Sequence, residues 1–426
     1  MKSADTVRRG SRSATRVSGV DAARGLALLG MMTVHVLPTT DEWTNDPTWA
    51  GVLFTGRPAA LFALLAGVGL ALYSSGGGRR SHSPLGRRTP AITPEDEARL
   101  SHARKVIAVR ALLIVVIGMA VAMMSSGVAI ILVHYGLLFL LALPFLRLGA
   151  KALFGLAAGW AALAPAAFWW LHNDLRLRLE GFPNDWRLWS SPTFSDLSDP
   201  PLLGMDLALT GYYPLLIWPA YLFAGMAVGR LRLDRTSTAL NLAGAGAILA
   251  GAGYLVGRAV MPGDAERMAE QYAVEERYLR GELLTGTHQL PLVTDSWWFG
   301  LATPHQGSTA DLVHTIGCAL LVLGLCLLVT ERLRWILAPL IGAGAMPLSL
   351  YVGHLVVLHL WRGTDDDGSP VAGSPALLRE YGESAMIAGL VLGALALGLV
   401  KVLLRRRGPL EALTHGISAS VAGPRP

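Results

Sequence analysis

The chain has 426 residues, of which 52 % are apolar and 15 % charged, with 36 Lys and Arg against 30 Asp and Glu. Soluble globular chains are roughly a quarter charged, so this composition points to a bilayer and excludes a disordered chain, a disulfide-stapled secreted scaffold and a nucleic-acid binder. The net charge of +6 has to be read by location, because in membrane proteins Lys and Arg mark the cytoplasmic side.

A membrane-crossing helix needs about 20 predominantly apolar residues. Ten such runs are predicted in chain order, at 18–37, 57–75, 106–124, 127–146, 150–171, 211–230, 239–261, 311–330, 335–361 and 384–404. The expected fold class is therefore all-α, a polytopic helical bundle. The first run has a basic preface but no short apolar core ending in a small-residue cleavage site, so it reads as a retained helix. The ninth is interrupted by Gly342, Gly344, Pro347 and Gly353, which predicts a short interfacial helix before the span proper.

Ten crossings place both ends on one side. The tails 1–17 and 405–426 and the loops 76–105, 147–150, 231–238 and 331–334, with Arg110, Lys151, Arg230 and Lys401 at adjacent span ends, hold 25 of the 36 Lys and Arg. The opposite face holds 10, and Arg24 lies within the first run. The positive-inside rule then makes both termini cytoplasmic. One transmembrane domain, 18–404, is expected between two cytoplasmic tails. The loop 76–105 is Gly-, Ser-, Pro- and Arg-rich and is expected to be mobile.

Two exterior loops, 172–210 and 262–310, are long and acidic and carry Trp186, Trp189, Trp297 and Trp298. These tryptophans are placed either to stack on sugar rings or to join the interfacial aromatic belt, to which Trp169, Trp170, Trp218 and Trp361 are assigned. The runs GVG at 67–69 and GAGAIL at 244–249 follow no strand and read as close helix packing. Cys318 and Cys326 share one apolar run, and Asp365, Asp366 and Asp367 lack a full ligand set. Neither a disulfide framework nor a metal site is expected.

Ionisable groups inside a span are costly, which makes each a functional candidate. They sort by depth. Arg24 and Arg110 fall in the inner halves of their runs, near Arg104 and Lys105, whereas His35, His134, His314, His354 and His359 fall in outer halves. Such an asymmetry suits an anionic ligand entering from the cytoplasm and acid–base chemistry near the exterior. Arg24 and His35 are eleven residues apart, which on a helix is a rise of about 16 Å and about 20° from full registration. Both belong to one face, with Leu28 and Met31 or Met32 between them, and are expected to border one tunnel. Asp21, three residues before Arg24, is placed to pair with it.

The run VDAARGLALLGMMTVH, with Arg24 and His35, resembles the first-helix motif of the acyltransferase 3 family. LFALLAGVGLAL at 61–72 resembles that family's second helix, and the basic opening of the third run, Arg104, Lys105 and Arg110, is also similar. VAIILVHYGLLFLLALP at 128–144, the run from Asp311 to Gly324, and GAMPLSLYVGHLVVLH at 344–359 resemble the YeiB-like and heparan-α-glucosaminide N-acetyltransferase-like proteins.

This resemblance implies transmembrane acyl transfer, with acetyl-CoA supplied from the cytoplasm to a saccharide, glycolipid or amine acceptor outside. Arg24, with Asp21, Arg104, Lys105 and Arg110, would serve the phosphates of coenzyme A, and His35 would act as base or acyl carrier. The sequence also departs from the pattern. The heparan-type enzymes place a histidine in the stretch after the first helix, yet 38–56 contains none. They and the YeiB-like proteins usually carry Asn where His35 stands.

Other residues compete for roles. His134 and His354 are placed to assist His35, to bond a backbone carbonyl, or to line the acceptor's route. His314 and Asp311, at i and i+3, form either a base–orienter pair or an interfacial pair. Arg57 opens the second run and either meets an acidic acceptor or anchors the helix. The leading expectation is a membrane acyltransferase, embedded in lipid in a bacterial plasma membrane, with a small-molecule or lipid-intermediate transporter as the alternative. Repeated halves and a mid-span carboxylate, which a secondary transporter commonly shows, are not apparent.

Overall fold

A computed structural model describes residues 17–75, 93–124, 126–181, 191–260, 268–270, 273–286, 292–362, 378 and 381–424. Residues 76–92 of the expected mobile loop, Trp186, Trp189 and Asp365 to Asp367 lie outside them. Among the described residues the regular secondary structure is helical, with an isolated β-bridge between Thr40 and Pro47. In order the helices are α1 Ser18–Val36, α2 Trp49–Phe54, α3 Arg57–Ser74, α4 Pro94–Ala122, α5 Leu132–Ala142, α6 Ala150–Arg178, α7 Pro200–Met205 and α8 Pro219–Gly229. There follow α9 Thr236–Val260, α10 Glu276–Thr285, α11 Thr309–Leu333, α12 Ala338–Gly344, α13 Pro347–Arg362, α14 Glu383–Leu404 and α15 Pro409–Ala422.

Among the described residues six helices are long and apolar enough to cross a membrane unaided, and α12 with α13, bent by 86°, makes up to seven. The other predicted runs are also helical, though α5 and α8 have only 11 residues each. The perimeter is apolar and exposed, at Leu163 on α6, Ile248 and Leu255 on α9, and Leu392 and Leu403 on α14. Such a surface is tolerable only against lipid. The centre is the reverse: every residue of α8 is buried, as expected of a helix that is apolar all round.

Backbones meet closely where glycine removes a side chain. A Cβ at Gly225 of α8 would lie 1.8 Å from the Leu64 carbonyl oxygen of α3, and one at Gly67 would lie 2.2 Å from that of Leu222. The two helices are thus locked face to face. Gly225→Ala is expected to force them apart and cost on the order of 3 kcal/mol or more, beyond ordinary overpacking, readable as a lowered Tm in detergent. Of the two glycine runs read as packing surfaces, Gly67 and Gly246 fit, Gly246 pressing on Leu321 of α11, but a Cβ at Gly244 would meet nothing. Gly69 faces a side chain instead, as described below.

Four sequence expectations change here. First, the loop expected at 76–105 ends before Thr93, because Thr93 and Asp96 form a reciprocal capping box and start α4 three turns early. Arg104 and Lys105 therefore sit on a helix. Second, the fourth and sixth runs are helical only from Leu132 and Pro219. The irregular stretches 127–131 and 211–218 survive because other elements satisfy backbone groups in them, Trp160 Nε1 donating to the Leu216 carbonyl at 2.7 Å. Tyr351 Oη accepts from Ile131 N at 3.4 Å, Ser191 Oγ accepts from Ile130 N, and Tyr213 Oη donates to the Ala129 carbonyl at 3.2 Å.

Third, Trp218 and Trp361 are buried rather than belt residues. Trp218 packs on Tyr213 and Tyr221, and Trp361 Nε1 donates to the Tyr381 carbonyl at 2.7 Å. Trp298 is wholly buried against Phe168 in a small satellite core, so no ring face is left for a sugar. Fourth, part of the C-terminal tail is the helix α15. Its buried Glu411 accepts from Leu348 N at 2.7 Å and Ser349 N at 3.1 Å, capping α13 at the break.

Candidate functional site

The site is organised along α1, which small residues allow to sit deep in the bundle. Gly19 abuts Leu327 of α11, Gly25 abuts Leu340 of α12, and Gly30 abuts Pro58 of α3. At one end Arg24 Nη1 donates to Asp21 Oδ1 at 3.0 Å, the pair expected from their spacing, and Nη2 donates to the Leu65 carbonyl of α3 at 3.2 Å. Asp21 is 2 % exposed and Arg24 21 %. A Cβ at Gly69 would lie 2.9 Å from Arg24 Nη2, so this glycine is what leaves room for the guanidinium.

Arg110 of α4 is exposed at the same end, and its charged and titratable neighbours are Glu411, Arg24, Arg407 and Tyr73. Arg24 and Arg110 are thus brought together, joined by Arg407, which sequence reasoning had left in a tail. Arg104 is committed elsewhere: its Nε donates to the Leu143 carbonyl at 3.1 Å, closing the end of α5. Lys105 is exposed on α4. Arg230, at the end of α8, ties that end of the bundle by donating to the Ala71 carbonyl, Ser74 Oγ and the Leu146 carbonyl.

At the other end of α1, His35 Nδ1 lies 3.0 Å from His354 Nε2 of α13, with the rings 5.3 Å apart and 9° from parallel. One nitrogen donates and the other accepts, which leaves Nε2 of His35 as the atom free to act. Arg362, at the end of α13, donates to the His35 carbonyl and to the Gly127 carbonyl and sets its guanidinium 5.4 Å from the Trp361 ring. Its charge thus sits at the C-terminus of α1.

His35 opens into a small cavity of about 40 Å³, whose walls include Met31, Phe54, Pro58, Tyr213, His305 and Tyr351. The Tyr351 ring meets that of His354 at 5.0 Å. Met31 lines the cavity and Arg24 does not. Among the described residues no open tunnel joins Arg24 to His35: Leu28, Met31 and Met32 are packed at 0, 4 and 2 % exposure along the intervening stretch.

The remaining histidines separate. His134 is buried at the start of α5, edge-on to Tyr213 at 5.5 Å, and its Nδ1 has no hydrogen-bond partner among the described residues. His314 lies beside α9, its Nδ1 2.8 Å from the Ala250 carbonyl. A carbonyl only accepts, so Nδ1 donates and Nε2 of the neutral ring is left to accept from Arg57 Nε at 3.3 Å and Nη2 at 3.2 Å. Cys318 Sγ lies 3.6 Å from the same Nε2.

The pairing expected between Asp311 and His314 is not formed. Asp311 N donates to Ser308 Oγ at 3.0 Å, and Asp311 Oδ2 accepts from Gly307 N at 3.0 Å, so this carboxylate caps α11. Arg57, turned to His314 and the Val52 carbonyl, anchors the start of α3. Outside the spans, Asp41 in the segment after α1 accepts from Thr44 N and Trp43 N at 2.9 Å each, which holds its carboxyl below the usual range.

Sequence reasoning missed Tyr213, His305, Arg362 and Arg407. The first two come from stretches with no helical period, and the last two lie beyond predicted span ends. No group of three His, Cys, Asp or Glu that could hold a metal occurs among the described residues.

Fold and site together define a polytopic α-helical membrane protein with arginines at one end of its first helix and a paired imidazole at the other. The chain belongs to the heparan-alpha-glucosaminide N-acetyltransferase catalytic family, whose model matches residues 16–262, more than half its length. The match takes in Arg24, His35, Arg57, Arg110 and His134, while His305, His314, His354 and Arg407 lie beyond it. No curated protein matches the chain.

Proposed function

We propose that this protein moves an acetyl group from cytoplasmic acetyl-CoA, the donor that such acetyltransferases use, to a hydroxyl or amine of an extracytoplasmic saccharide, glycolipid or amine. The single observation that carries this reading is the contact of His35 Nδ1 with His354 Nε2 at 3.0 Å beside an open cavity. With Nδ1 of His35 donating to His354, Nε2 carries the lone pair, which is the arrangement a general base requires. His35 Nε2 takes the proton of the acceptor as its oxygen or nitrogen attacks the thioester carbonyl. The C–S bond breaks, and the departing thiolate of coenzyme A recovers the proton from His35.

Arg24, Arg110 and Arg407 supply the other end. Coenzyme A carries three phosphates, and guanidinium groups bind phosphate through paired, charge-assisted hydrogen bonds. Arg24 already lies on the helix that bears His35, about 16 Å away along its axis, a distance that a pantetheine arm covers. The arm displaces the side chains of Met31 and Met32, whose unbranched thioethers repack readily. Both tails then face the cytoplasm, in agreement with the distribution of Lys and Arg.

Gly69→Ala tests the donor end. The added methyl meets only the far end of a flexible side chain, so folding is expected to persist. Displacing the Arg24 guanidinium is expected to weaken coenzyme A binding about tenfold, the worth of one charge-assisted hydrogen bond. Calorimetry on the purified protein measures it, and wild-type affinity would remove Arg24 from the donor site.

The whole reading is tested by mass spectrometry of envelope glycans and lipids from cells with and without the gene. Loss of an increment equal to one acetyl group supports it. Identical spectra, with uptake of a small substrate instead, would favour a carrier.

A further inference from the structure

The cavity contains a second imidazole. His305 lies in the loop before α11 and lines the same space as His35, with its ring 5.8 Å from that of Tyr212 and 6.0 Å from that of Tyr213. The loop is pinned on both sides. Buried Thr303 donates to the Leu283 carbonyl at 2.9 Å. Pro304 fits into room left by two glycines, since a Cβ would lie 2.9 Å from it at Gly56 and 2.2 Å from its carbonyl oxygen at Gly286. On the far side Gly307 N is held by Asp311.

These constraints fix His305 in the left-handed region at φ +64°. Glycine, Asn, Asp and His all occur in that region, so the backbone alone does not select an imidazole. The side chain has to be accounted for by what it faces, and it faces the cavity of His35. The lining they share also includes the aromatic rings of Phe54, Tyr213 and Tyr351, which suit the apolar face of a sugar ring. Two imidazoles in such a space divide naturally into one that removes a proton and one that holds the group losing it.

We infer that His305 is the acceptor-binding residue of this cavity. Resting on the acyl-transfer reading above, it hydrogen-bonds the hydroxyl or uncharged amine of a saccharide-type acceptor and aims the departing proton at His35. The proton passes to His35 Nε2 and then to the thiolate of coenzyme A, while His305 ends the cycle as it began.

The test uses His305→Gly and His305→Asn, both compatible with a positive φ. Each is expressed from the gene in cells lacking it, acetyl increments on envelope glycans and lipids are measured by mass spectrometry, and the purified variants are examined for coenzyme A affinity and Tm. Acetylation is expected to fall about tenfold or more in both, with Tm not lowered and coenzyme A affinity as in the wild type. Acetylation within about twofold of wild type, well under the effect of one lost hydrogen bond, overturns the assignment. So does a loss of acetylation accompanied by a lowered Tm in both variants, which would make the residue structural. If His35→Ala abolishes the increment and the His305 variants do not, only this inference fails. If the wild-type chain adds no acetyl group to any glycan or lipid, the acyl-transfer reading fails and this role with it.

Discussion

His35→Ala is expected to lower acetyl transfer by about 10²–10⁴-fold, the usual contribution of a positioned general base, while expression, Tm and coenzyme A affinity are expected to stay near wild type. The expected separation follows from where the residue sits. His35 is half-buried and borders the cavity, so its truncation enlarges an existing space instead of opening a void in the packed core, and little stability is lost. What disappears is the nitrogen that faces the acceptor. His354→Gln is the companion variant. It removes the ring that holds His35 Nδ1 at 3.0 Å but leaves the base in place, so its effect is expected to be the smaller of the two. Rapid-quench mass spectrometry of the wild type adds a second check, because an acetyl group found on His35 would replace the base role by a covalent one. Wild-type turnover in His35→Ala would move the chemistry to another side chain of the cavity.

The first helix was the most legible part of the molecule. Its boundaries, the Asp21–Arg24 pair and the separation of Arg24 from His35 all follow from helical periodicity, because each involves residues within a few turns of one another. His354 was recognisable only as a candidate, since its contact with His35 joins residues 319 apart in sequence. A separation of 257 residues hid the union of Arg57 with His314, and the local spacing of Asp311 and His314 suggested a pair that the fold does not make. There the capping requirement of α11 won: a buried helix start leaves backbone N–H groups that must be satisfied, and Asp311 with Ser308 does it.

Least legible were the cavity walls. Tyr213 and His305 come from segments that are neither helical nor repetitive, and they are positioned by long-range contacts, Tyr213 Oη with the Ala129 carbonyl and Pro304 with Gly56 and Gly286, instead of by a hydrophobic period. Hydropathy reads such segments as span or loop and cannot assign them to a site. It also overstates the belt: Trp218 and Trp361 have the composition of interfacial residues, yet each has its polar edge or its ring faces taken up by neighbours inside the protein. The predicted tunnel failed for a related reason, since placing two residues on one face of a helix says nothing about whether the side chains between them leave space.

Replacing Arg24 gives the second large effect, and its interpretation depends on Asp21. Arg24→Ala removes one of the three guanidinium groups proposed to hold the donor and is expected to weaken coenzyme A binding by about 10- to 100-fold, at roughly 1.5–3 kcal/mol for a charge-assisted contact. It also leaves the 2 %-exposed Asp21 carboxylate without the guanidinium it now accepts from. A buried charge stripped of its partner costs about 3–5 kcal/mol, so the single variant loses stability as well as affinity, and a fall in activity alone would not identify a donor site. The pair Asp21→Asn with Arg24→Gln separates the two effects. Both groups become neutral amides of similar size, most of the stability returns, and the phosphate-binding charge stays lost. Coenzyme A affinity in the double variant is therefore expected to remain as weak as in Arg24→Ala while Tm recovers toward wild type. Affinity that recovered together with Tm would show that Arg24 holds the helix and not the donor, and would leave Arg110 and Arg407 as the cations to test next.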